Sequence, residues 1–345
     1  MKLNFFLSML CVNPILLFSF QHFSTITSDQ TTPTLINSVS FHPNKNLFCV
    51  TFTHQHQVGL YQIDVDDSIK LVQMLQNPSA DFIHPQNAIF SPDGNHLVIV
   101  NWSTRHFNVY SKDSNGHFNN YPQCVIPCHL SEEQYRPHGM CFSQDGNYLA
   151  VAYGSFEDCP WTVTLYRVVD LDSCQARLVP CSSLSKNDNL NGVPKGVTFS
   201  PDGSSLVITF TVKNSVGVFS IDWEKELINP SPTQEIVGPA TQLFRPEDIA
   251  FSPDGSYCAV SNSSQNTVSF YKFDKWKNRF IENVPFKMLG DESEPLFFPH
   301  GLGFSYDSKY FAITQFGAVS VNSMGYMNSW GNERSERISL FRVTE

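Results

Sequence analysis

Residues 245–274 read RPEDIAFSPDGSYCAVSNSSQNTVSFYKFD. A short apolar run ends in Phe-Ser-Pro-Asp-Gly at 251–255, and Asp-Gly tolerates the positive φ that tight hairpin turns demand. A second apolar run starts at Cys258. A polar turn at 263–266 follows, and from Val268 apolar residues alternate with polar ones. This is the pattern of three antiparallel strands joined by short turns.

Working outward, the unit recurs six times. Its anchor phenylalanines are Phe41, Phe90, Phe142, Phe199, Phe251 and Phe304, separated by 49, 52, 57, 52 and 53 residues. That period is the mark of propellers and arrays. Second strands start at Leu47, Leu97, Leu149, Leu206, Cys258 and Phe311, and third strands at Val58, Phe107, Val163, Val216, Val268 and Ile338. The second strands are largely apolar, as strands buried on both faces between stacked sheets should be.

A looser fourth strand precedes the next anchor in five cases, but the last repeat ends at Glu345 without one. The segment FSTITS at 23–28 lies 18 residues before Phe41, the right distance for that missing strand. The expectation is an all-β, six-bladed β-propeller whose N-terminus closes the ring, with a seven-bladed ring as the alternative. Closure leaves no open edge between first and last blades.

A chain of 345 residues, 41% hydrophobic and 13% aromatic, can build this as one domain over 22–345. Residues 1–21, with Lys2 ahead of an apolar run, read as a signal peptide or an apolar extension. A secreted or periplasmic location is therefore expected, with a cytoplasmic one as the alternative. A net charge of −10 argues against a nucleic-acid partner. No run of 18 apolar residues follows the N-terminus, which excludes a polytopic membrane protein. Cys49, Cys141 and Cys258 fall in strands as small apolar residues. Cys124, Cys128, Cys159, Cys174 and Cys181 lie in or near connectors, where disulfides could form in an oxidising compartment. No paired Cys-x-x-Cys motif points to a metal, and no cofactor is expected.

The inner strand of each blade lines the channel of a propeller. Five positions before the anchors stand Ile36, Pro85, Pro137, Pro194, Pro246 and Pro299. Proline suits a strand's first residue, where its missing donor is harmless. The next positions are Asn37, Gln86, His138, Lys195, Glu247 and His300, six polar or ionisable side chains at equivalent places. They are expected to ring one mouth of the channel as ligand-binding residues, although polar residues at solvated strand starts need no function. Lys195 and Glu247 could simply pair across adjacent blades. Two histidines with a carboxylate are acid–base types, so His138, His300 and Glu247 are the catalytic candidates.

Third strands start 17 residues after the anchor in four repeats, but 21 after it in the third and 34 in the sixth. The two insertions, 156–161 and 317–336, are expected on the face of the polar ring. The second carries Met324, Tyr326, Met327 and Trp330 among Gly, Ser and Asn, a composition suited to recognition. No nucleophile elbow, P-loop or His-Glu-x-x-His occurs. Asn101-Trp-Ser and Asn262-Ser-Ser match glycosylation acceptors.

The runs RPEDIAFSPDGSYCAVSNSSQNTVSFYKFD and RPHGMCFSQDGNYLAVAYG resemble the repeats of YVTN/lactonase-like β-propellers, over roughly residues 38–343. The resemblance implies a propeller, and for lactonase-type members usually seven blades and lactone hydrolysis. Fold alone does not fix function. The leading expectation is a non-enzymatic propeller that binds a protein partner or small-molecule ligand on the ring face, using Met324, Tyr326 and Trp330 as well. A lactonase-like hydrolase acting through His138, His300 and Glu247 comes second, and a structural scaffold third.

Overall fold

The structure, a computed structural model, describes residues 19–27, 35–76, 81–130, 132, 134–154, 160–186, 192–292, 294–317, 319–321, 327–330 and 336–344. Six antiparallel sheets stand around a central channel, one for each sequence repeat. Their inner strands are Ile36–Phe41, Pro85–Phe90, Pro137–Phe142, Pro194–Phe199, Pro246–Phe251 and Pro299–Phe304. The fully buried second strands, such as Ser205–Phe210 and Tyr310–Gln315, carry the cores between neighbouring blades.

The N-terminus closes the ring. Strand Ser19–Thr27 pairs antiparallel with Arg337–Thr344 and becomes the outer strand of the sixth blade. It begins four residues before FSTITS, and the reason is Phe20. Its ring is buried against Phe270 of the fifth blade, at 4.4 Å between centroids, and Phe311 of the sixth, at 5.6 Å. The candidate signal segment falls mostly on residues 1–18, outside the described ones.

The repeat signature has a local cause. In blades two to six, the serine after the anchor donates to the aspartate two residues on and accepts a backbone N–H five residues on. In the fifth blade Ser252 Oγ reaches Asp254 Oδ1 at 2.6 Å and Tyr257 N at 3.2 Å. Ser91, Ser143, Ser200 and Ser305 repeat the arrangement. The glycine that follows sits at φ 70° in Gly255, the left-handed conformation the hairpin requires.

Seven described cysteines are free thiols. Asn101 and Asn262 are buried in second strands, so neither presents a side chain for glycosylation. Among the described residues no helix is long and apolar enough to cross a membrane. Within the sixth-blade insertion, Val319–Val321 pairs with Met327–Trp330. Met324 and Tyr326 lie outside the described residues, as does most of the 156–161 insertion, and Trp330 is described only as the end of that strand.

Candidate active site

Each inner strand is aimed at the axis by the same irregularity. Four of them start immediately after a residue at positive φ: Leu35 at 48°, His84 at 58°, Arg245 at 51° and Phe298 at 51°. The register then slips just after the first residue, between Pro137 and Met140 for example, and likewise in the other blades. A bulge of this kind re-aims a side chain. A hydroxyl of the second strand pins the displaced backbone, as in Gly196 N to Thr209 Oγ1 at 2.8 Å, Asp248 N to Ser261 Oγ at 2.9 Å and Gly301 N to Thr314 Oγ1 at 2.7 Å. The blades approach so closely here that a Cβ on Gly196 would stand 2.8 Å from Asp248 Cα.

The six residues read from the sequence therefore meet. Asn37, Gln86, His138, Lys195, Glu247 and His300 line one funnel together with Ser38, Asn87, Gly139, Asp248 and Gly301, around a cavity of about 20 Å³, room for about one water, that is partly open to solvent. Asn37 Nδ2 donates to Gln86 Oε1 at 3.2 Å, Gln86 Nε2 meets His138 Nδ1 at 3.2 Å, and Lys195 Nζ lies 2.8 Å from His138 Nε2. On the other side Thr211 Oγ1 donates to Glu247 Oε1 at 3.4 Å, and Glu247 Oε2 stands 3.7 Å from His300 Nε2. His300 Nδ1 donates to the Asn37 carbonyl at 3.0 Å, across the seam between last and first blades. Lys195 and Glu247 form no ion pair, so the simple pairing across blades does not occur.

Burial sets the charge states. It holds the His138 imidazole well below its usual range, helped by the like charges of Lys195 and His300. His300 is also lowered, chiefly by burial, with Glu247 and the Asn37 carbonyl opposing. Lys195 is brought down to about 8 by burial, against the pull of Glu247 and with the push of Arg245. Burial raises Asp248 to about 7 despite the backbone N–H groups of Leu302 and Ile249 that its carboxylate accepts at 2.9 Å. Lys195 and Asp248 thus change state near neutral pH, which is what acid–base chemistry needs. Because the Asn37 carbonyl only accepts, the neutral His300 ring carries its proton on Nδ1 and turns the Nε2 lone pair toward Glu247. Two acceptors 3.7 Å apart make a seat for a hydroxyl donor. Among the described residues no cluster of His, Cys, Asp and Glu is arranged to hold a metal.

Three contributors escaped the sequence reading: Thr53, which bonds Asn37, Thr211, which bonds Glu247, and Phe316, stacked on His300 at 4.5 Å and 17°. All three stand twelve residues after their anchors, just past the second strand, so the repeat read on beyond that strand could have pointed to them.

An all-β propeller with an acid–base funnel on its axis is the class of protein that fold and site define. The family model described as lactonase, 7-bladed β-propeller, matches residues 24–288, and the chain belongs to that family, here with six blades among the described residues. Among solved structures it is similar to a Lactobacillus plantarum protein at 15% identity and TM-score 0.58, covering 93% of this chain and 90% of that one. It is similar to the periplasmic gluconolactonase of Pseudomonas aeruginosa at 16% identity and TM-score 0.57, covering 90% and 88%. A Bacteroides fragilis protein assigned as a 6-phosphogluconolactonase is 13% identical with TM-score 0.56, covering 88% and 86%. No curated protein matches by sequence. The expectation of a non-enzymatic binding propeller is thereby corrected. Family membership and the lactonase names among the neighbours favour the hydrolase instead. The sequence underweighted it because repeat signatures encode turns and packing rather than chemistry.

Proposed function

We propose that the chain is a lactonase-like hydrolase that opens polyhydroxylated lactones at the funnel. The observation that carries this reading is the convergence of His138, Lys195, Glu247 and His300, supplied by four blades, on one solvent-open space in a member of the lactonase family. Glu247 and the His300 Nε2 lone pair accept a ring hydroxyl of the substrate, while Asn37 and Gln86 contribute neutral polar contacts. Hydrolysis of a panel of sugar-acid δ-lactones tests the reading. His300→Ala and Glu247→Gln should each lower kcat/KM about 10-fold or more by removing a partner of that ring hydroxyl. Normal turnover by both variants, or no turnover by well-folded wild type on any lactone, would refute it. Export is part of the same reading, supported by Lys2 ahead of an apolar run and by the periplasmic location of the Pseudomonas neighbour. Recovery of the protein only from the cytoplasm of its source cells would remove it.

A further inference from the structure

We propose that Lys195 is the proton acceptor of this site, its free amine favoured by an ordered chain of hydrogen bonds that starts at Thr53. The inference rests on the lactonase reading for its reaction and on geometry for the amine.

The chain can be read proton by proton. The Thr53 hydroxyl has one proton, and the Pro85 carbonyl 2.7 Å away can only accept it. Thr53 Oγ1 must therefore accept from Asn37, which turns the Asn37 amide nitrogen toward it. The same nitrogen donates to Gln86 Oε1 at 3.2 Å, so the Gln86 amide nitrogen faces His138 Nδ1. Amide orientations follow from such networks. Nδ1 then accepts, and a neutral imidazole carries its proton on Nε2. That N–H points at Lys195 Nζ, 2.8 Å away, and needs a lone pair there. An ammonium has none. Protonating Lys195 would require Nδ1 to take the imidazole proton, both amides to turn over and Thr53 to release the Pro85 carbonyl.

A second argument is independent of the first. Nζ stands 2.8 Å from His138 Nε2, and burial disfavours its charged form. The charged and titratable groups around the amine divide in sign. Glu247 draws a proton onto it and Arg245 repels one. His138 is neutral, His300 is lowered, and Asp248 titrates near 7.

The reaction balances simply. Rotation about the terminal bonds of Lys195 turns its lone pair from the imidazole to a water in the funnel. The water gives a proton to Nζ, and its oxygen bonds to the lactone carbonyl carbon. The ring C–O bond breaks, and the leaving alkoxide takes the proton back from Nζ to give the hydroxy acid. The movement also frees His138 Nε2–H to donate to the carbonyl oxygen on which charge develops. Lys195 is then the base, and His138 a neutral donor rather than a base.

Reductive methylation with formaldehyde and cyanoborohydride at graded pH, read at Lys195 by peptide mass spectrometry, measures the amine without any lactone. The wild-type midpoint should fall near 8, against about 10.4 for ordinary lysines. Gln86→Glu accepts from His138 Nδ1–H, reverses the tautomer and should leave at least tenfold less free amine at pH 8. Thr53→Val removes the orienting hydroxyl without adding charge and should act in the same direction. Circular dichroism identifies any variant that has not folded. The rise of lactone kcat/KM with pH should follow the Lys195 midpoint in wild type and in both variants. A wild-type midpoint near 10, or one unmoved by both substitutions, overturns the proposal. A midpoint near 8 with no lactone hydrolysed would overturn the lactonase reading and the catalytic role together, which separates that failure from failure of the amine network.

Discussion

Phe20→Ala tests the ring closure at one side chain. The ring is 7% exposed and packs on Phe270 at 4.4 Å and Phe311 at 5.6 Å, so it bridges the fifth and sixth blades from the closing strand. Truncating a buried phenylalanine costs about 3–5 kcal/mol, and an outer strand that can relax places this one near the lower figure. The eight residue pairs between Ser19–Thr27 and Arg337–Thr344 remain available, since their ladder is backbone. Urea unfolding followed by tryptophan fluorescence should therefore show about 3 kcal/mol lost with the m-value unchanged. A chain starting at Phe23 loses four of those pairs as well and exposes half of the Arg337–Thr344 edge, so it should be less stable still and prone to association. A Phe20→Ala change within about 0.5 kcal/mol of wild type, the range of ordinary surface substitutions, would refute the claim that Phe20 locks the ring.

Other expectations follow from single contacts. Ser252→Ala removes the bonds to Asp254 and Tyr257 N, and thermal melting should show a loss of about 1–2 kcal/mol. Asp248 binds its proton more tightly in the folded state, at about 7 against 3.8 unfolded. Its contribution is thus fully present below about pH 4 and lost as pH rises through 7. Asp248→Asn, which does not titrate, should flatten the pH dependence of unfolding between 4 and 7, and an unchanged profile would exclude the assignment.

The sequence made the fold legible because its punctuation is local. Each Ser-x-Asp-Gly stretch closes its own hairpin with its own side chains, so the turn survives whatever the blade packs against. The six ring residues were legible for a related reason: equivalent positions in a closed repeat must share the axis. What the repeat does not encode is orientation. That Lys195 meets His138 and not Glu247 depends on bulges, on second-strand hydroxyls and on threonines from outside the inner strands. These hydroxyls recur in step with the anchors, Thr209, Ser261 and Thr314 ten residues on and Thr53 and Thr211 twelve, but the repeat does not say which neighbour each side chain bonds. The count of blades shows the same limit. Six anchors were readable one by one, whereas the family's seven-bladed description belongs to a profile of many chains.

Closure and chemistry meet at one seam. The contact that fixes the His300 tautomer crosses from the sixth blade to the Asn37 carbonyl of the first, and Thr314 Oγ1 donates to that same carbonyl at 2.9 Å. A Cβ on Gly301 would stand 2.5 Å from it, so no side chain could be placed between the two blades here. The closing strand holds the sixth blade in the ring, and the Thr53–Asn37–Gln86 chain begins on the first. Loosening the seam should therefore disturb both arms of the funnel, the His300–Glu247 seat and the path to Lys195. Phe20→Ala stands far from the site, yet it should lower kcat before it unfolds the protein, with activity lost at lower temperature than secondary structure. Coincident loss of the two would mean that the funnel is rigid without the seam and that the closing strand serves stability alone.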